Sequence, residues 1–137
     1  TASTRSWLIF EKDFKVTEWP SELPGLDIKT ALSQLGGKKK LYLRLLAMFE
    51  DSHLQDIDRL LAAASEQDWK AVYEINHALK GVTGNLAANE LYQLCIDIDG
   101  KLKDEQHDIE SLLSALPVAM TTLLASITQA TQLPLDE

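Results

Sequence analysis

The sequence predicts an all-α fold: an antiparallel up-down-up-down four-helix bundle with extra helical sequence on its N-terminal side. Three observations carry this. From Lys38 almost to the end, apolar residues recur at helical spacing in four successive segments. Short turns join these segments, which favours antiparallel neighbours. The 137 residues include only 6 Gly and 4 Pro, few for a loop-rich fold, and no strand candidate competes.

Residues 1–25 stand apart. They hold Trp7, Trp19, Pro20 and Pro24 without a sustained helical period. They read as a linker or N-terminal arm with a short helix near Ser6–Lys12. Residues 26–131 then form the bundle domain and 132–137 a tail. Asp27 suits the N-cap of a short helix over Ile28–Leu35, which Gly36 and Gly37 stop. A long second segment is expected over Lys39–Ala64, with a stripe of Leu43, Leu46, Leu54, Ile57, Leu60 and Leu61. Asp68 can cap the third, Trp69–Ala87, whose stripe is Val72, Ile75, Leu79, Val82 and Leu86. The fourth spans Asn89–Lys103 and the fifth Ile109–Ala130. Pro117 should kink or break the fifth by removing a backbone hydrogen bond.

Composition narrows the function. Hydrophobic residues make up 45% and charged residues 25%, as in globular proteins. With 13 Lys+Arg against 21 Asp+Glu the net charge is -8, which argues against nucleic acid and against an anionic membrane surface as partners. A single Cys forms no internal disulfide and suits an intracellular chain; Cys95 lies in the fourth stripe and reads as a small buried hydrophobe. The longest apolar stretch, Leu112–Ile127, carries Ser114, Pro117, Thr121 and Thr122 and is shorter than the roughly 20 residues of a membrane span. The opening Thr1-Ala2-Ser3 suggests a piece of a longer protein.

The three histidines differ. On a helical wheel, His77 falls opposite the third stripe and shares its face with Lys70, Tyr73, Lys80, Gly81 and Gly84. A glycine within a helix costs about 1 kcal/mol relative to Ala. Two of them one and two turns beyond the same His clear bulk from around it. An exposed imidazole is largely neutral near neutral pH and can form covalent intermediates. A lysine one turn on can offset an anionic group attached to it. The pattern describes a nucleophile that something large must approach. His53 lies near the second stripe and reads as a satisfied, partly buried residue, and His107 sits in a polar turn. Glu50-x-x-His53 and Glu74-x-x-His77 repeat a spacing found at di-iron sites. However, Glu74 and His77 face outward and the fourth stripe shows no acid, so no metal site is expected. No Gly-rich phosphate loop is present, so nucleotide binding is not expected.

The run His77-Ala78-Leu79-Lys80-Gly81-Val82-Thr83-Gly84-Asn85-Leu86 resembles the signature of histidine-containing phosphotransfer (HPt) domains. Leu91-x-x-Leu94-Cys95-x-x-Ile98-Asp99 is similar to the family's next helix, which often ends Leu-Glu. Leu23–Asp27, Leu35–Gly37 and Leu41–Leu46 resemble the lead-in of such domains at the C-terminal end of bacterial hybrid sensor kinases. The resemblance implies that His77 takes a phosphoryl group from one receiver-domain aspartate and gives it to another. Lys80 would stabilise that group, and Gly81 and Gly84 would admit the receiver. Lys70, Tyr73, Asn85 and Ile96 are candidates for docking it. It implies a cytoplasmic monomer that binds response-regulator receivers and no cofactor of its own, the magnesium ion residing in the receiver. Thr83 and Ala87 depart from the usual small residue and Gly of the pattern. The competing expectation is an adaptor bundle without chemistry.

Overall fold

The computed structural model describes residues 18–135. Among these, six helices follow one another: α1 Ile28–Gln34, α2 Lys39–His53, α3 Asp56–Ser65, α4 Trp69–Leu86, α5 Asn89–Lys103 and α6 Glu110–Ala130. The one pairing of strand type among the described residues is an isolated bridge between Leu23 and Leu26. α2 and α3 form one arm of a four-helix bundle. α3 packs on α4, α4 on α5, α5 on α6, and α2 and α3 close the ring against α6. Tyr42, Leu46, Leu60, Leu79, Ile98 and Leu116 are among the fully buried side chains at its centre.

Local chemistry starts and stops the helices. The Asp27 carboxylate accepts from the Thr30 amide (3.2 Å) and hydroxyl (2.7 Å), and Asp68 accepts from the Ala71 amide (3.2 Å). Gly36 and Gly37 take φ of +68° and +77° and end α1. Three later helices end on non-glycine residues in the same left-handed region: Gln67, Ala87 and Glu105. After each, the next amide reaches back to a carbonyl five residues earlier, as from Ala88 to Thr83 (2.9 Å), which satisfies an end that would otherwise stay open.

Two sequence expectations need correction. The segment over Lys39–Ala64 is two helices, broken at Leu54–Gln55, and Leu54 is 47% exposed rather than in the stripe. Local side chains mark the break. His53 sits in the last turn of α2, while Asp56 and Asp58 occupy the first turn of α3. The acids at the start of α3 have the sign its helix dipole favours. The His53 Nδ1–Asp56 Oδ2 contact, 2.7 Å, straps the joint, and Arg59 holds the other Asp56 oxygen at 2.9 Å. Tyr42 and Phe49, rather than Leu43 and Leu54, join Leu46 in the core. The second correction concerns Pro117. It does not break α6, which runs unbroken through it. Pro117 and Val118 are on the exposed side, where water can satisfy the carbonyl that the proline leaves without a donor. α6 has 21 residues and contains an 18-residue window of mean hydropathy 1.6, so by length and composition it is long and apolar enough to cross a membrane, which the shorter stretch Leu112–Ile127 did not suggest. In the bundle it buries Leu116, Ala119, Leu123 and Ile127 against its neighbours.

Residues on the outer sides of 25/26 and 131/132 also contact the bundle. The Trp19 indole donates to the Pro134 carbonyl (2.6 Å) and lies under Lys39 Nζ, 5.4 Å from the ring centre. Ser126 Oγ donates to the Pro24 carbonyl (2.5 Å), and Leu23 and Leu133 pack against the core. The short helix expected near Ser6–Lys12, with Trp7, lies outside the described residues.

Candidate functional site

α4 carries most of the site, and α5 completes it. The buried side of α4 is Val72, Asn76, Leu79, Thr83 and Leu86. This leaves Ile75 and Val82, both expected in the stripe, only half-buried. Two buried polar side chains on this side donate to backbone carbonyls, while Asn76 Oδ1 is buried without a donor. Thr83 Oγ1 donates to the Leu79 carbonyl (2.7 Å), so the hydroxyl at this departure from the family pattern costs nothing in burial. Asn76 donates to the Cys95 carbonyl on α5 (2.9 Å), joining the two helices beneath the site.

His77 stands outside this face, with its side chain 59% exposed. Its ring stacks on that of Tyr73, one turn earlier, at 5.6 Å between centres and 18° between planes. Its Nδ1 turns toward α5 and lies 3.8 Å from Asp99 Oδ1. Asp99 is the residue that sequence reasoning missed. It is 4% exposed, which corrects the expectation that the fourth segment keeps acids out of its buried face. Its Oδ2 accepts from Lys80 Nζ at 3.1 Å and Lys103 Nζ at 2.9 Å. Its Oδ1 is buried with no donor within hydrogen-bond distance. Burial pushes the carboxyl up, but the hydrogen bonds and charges of Lys103 and Lys80 outweigh it and hold Asp99 below the ordinary carboxylate range. The same contact, with Tyr73 nearby, pushes the Lys103 ammonium up. Asp99 is therefore an anion with one oxygen bound by two cations and the other facing the imidazole.

The remaining predicted residues separate into distinct places. Lys80, half-buried, is at the site. Lys70 is exposed two turns before His77, and the second lysine at Asp99 is Lys103 instead. Gly81 and Gly84 differ. A Cβ at Gly81 would meet no atom within 4 Å, whereas one at Gly84 would come within 2.9 Å of Tyr92 Cε1. Gly81 thus opens onto free space, and Gly84 lets the Tyr92 ring pack against α4. Asn85 is exposed and lines a depression with Lys80, Gly81, Gly84 and Tyr92, beside His77 toward α1. Ile96 is half-buried and lines a different depression, with Asp97 and Gly100 on α5.

The other histidines lie elsewhere. His53 is bound to Asp56 and stacked on Phe49 (5.4 Å), and His107 stacks on Trp69 (4.4 Å). No group of three or more His, Cys, Asp or Glu able to hold a metal occurs among the described residues, so the two Glu-x-x-His motifs do not converge. Cys95 is buried, and burial pushes its thiol up to about 12.

Compared with known proteins, the chain matches one family model, described as Hpt domain, over residues 44–132. No curated protein and no solved structure matches.

Proposed function

Because the chain belongs to the Hpt domain family, whose members carry out histidine phosphotransfer in phosphorelays and interact with receiver domains of response regulators, we propose that His77 is its phosphoacceptor. The observation that supports this best is the placement of an exposed imidazole with Nδ1 over the buried, anionic Asp99. A proton on Nδ1 is favoured there, which leaves the lone pair on Nε2, the nitrogen farther from Asp99.

In this reading the Nε2 lone pair attacks the phosphorus of a receiver's aspartyl phosphate. The P–O bond to the aspartate breaks, and the aspartate leaves as a carboxylate. Nδ1 keeps its proton, so the phosphorylated ring is cationic, and Asp99 stabilises it through that proton. A protonated ring is a good leaving group, so the same arrangement serves onward transfer to a second receiver's aspartate. Lys80 counters the phosphoryl charge, and the magnesium ion and remaining acid–base groups are the receiver's. The chain works as a monomer in the cytoplasm, and the lead-in over residues 23–46 suits the end of a hybrid sensor kinase.

The test is transfer from a panel of phosphorylated receiver domains. Label should appear on the chain, survive base and be lost in acid. A chain that stays unlabelled with every receiver is an adaptor bundle.

A further inference from the structure

Lys80 alone does not supply net positive charge at His77. It lies 3.1 Å from Asp99 Oδ2, so its charge is balanced by that carboxylate. A dianionic phosphoryl group on the imidazole would then face a neutral pair. The balance changes with Lys103, in the last turn of α5, whose Nζ lies 2.9 Å from the same oxygen. The two ammonium groups are therefore no more than about 6 Å apart, and with Asp99 they leave one surplus positive charge beside His77. This stands out in a chain whose net charge is -8. Lys103 is 57% exposed, against 25% for Lys80, so it is the freer of the two to leave Asp99 for a new anion. His77 Nδ1 lies 3.8 Å from one Asp99 oxygen and Lys103 Nζ 2.9 Å from the other, so both groups border the same carboxylate.

We propose that Lys103 is a second phosphoryl-stabilising cation, which turns from Asp99 to the phosphoryl oxygens when His77 is phosphorylated. This rests on the reading of His77 as phosphoacceptor. Lys80, facing both Asp99 and the phosphoryl group, keeps Asp99 anionic under the cationic ring, while Lys103 adds the surplus charge. The alternative is a purely structural role, an i,i+4 ion pair at a helix C-terminus, where a lysine is favoured in any case.

Phosphorus NMR separates the two. The chain is phosphorylated with phosphoramidate, from which Nε2 displaces ammonia, and the phosphoryl resonance is followed against pH in the parent, Lys103→Met and Lys103→Arg. Circular dichroism confirms that each is folded. Each nearby cation favours the dianion, so Lys103→Met should raise the phosphoryl titration midpoint by about half a pH unit or more. Lys103→Arg should restore it. A structural lysine would change the melting temperature but not this midpoint. Equal midpoints in the parent and Lys103→Met overturn the role of Lys103. Absence of a phosphohistidine resonance in the parent overturns the reading of His77 itself.

Discussion

Replacing Asp99 with Asn keeps the shape of the side chain and removes its charge. The side chain is 5% exposed and holds two lysines at 2.9 and 3.1 Å. Breaking a well-buried ion pair by removing one partner costs about 3–5 kcal/mol. Here the lysine side chains are 25% and 57% exposed, so water recovers part of that loss, and we set the cost at about 2 kcal/mol. For a domain of this size that corresponds to a fall in Tm of roughly 6–10 °C. The pH dependence identifies the cause. Asp99 is held below the ordinary carboxylate range, so the folded chain binds its proton less readily than the unfolded chain. The stability it contributes is full above the unfolded value, at about pH 4, and is lost as pH falls through the lower folded value. Urea unfolding of parent and Asp99→Asn should therefore show a constant gap from about pH 7 to pH 5 that narrows in more acidic buffer. Equal stability at neutral pH, or a gap that does not change with pH, would refute the argument.

The two glycines after His77 should behave oppositely. Gly81→Ala meets no atom and should stabilise the chain by up to about 1 kcal/mol, yet slow labelling by a receiver at least tenfold while leaving labelling by phosphoramidate intact. Gly84→Ala presses on Tyr92 and should lower the melting temperature despite its better helix propensity. Gln67→Gly and Glu105→Gly relieve exposed left-handed residues and should each raise stability by about 0.5–1 kcal/mol in urea titrations, additively. Cys95 should resist alkylation at about pH 8 in the folded chain and react fully once unfolded, since its thiol is buried and pushed up to about 12.

The bundle was legible in the sequence because each helix carries one apolar side, and the exposure of His77 followed from its place opposite the stripe of α4. The break after His53 was not legible from apolar spacing, which continues across Leu54–Gln55. Its local mark is Asp56 and Asp58, acids that suit the first turn of a new helix. Asp99 was missed because a wheel treats one helix at a time. Its role depends on the register between α4 and α5. The turn at Ala87–Ala88 sets that register: His77 and Ile98 lie equally far from it, which brings Asp99 beside His77. A hairpin count would have found Asp99, and Lys103 one turn beyond it.

On the proposed reading, all of the chemistry resides on one imidazole. The most direct test is labelling of His77→Gln beside the parent by one phosphorylated receiver, with the modified residue located by mass spectrometry. The parent should carry an acid-labile phosphoryl group on His77, and His77→Gln, folded to the same extent, should carry none. Equal labelling of the two chains, or a phosphoryl group found on His53 or His107, would contradict it.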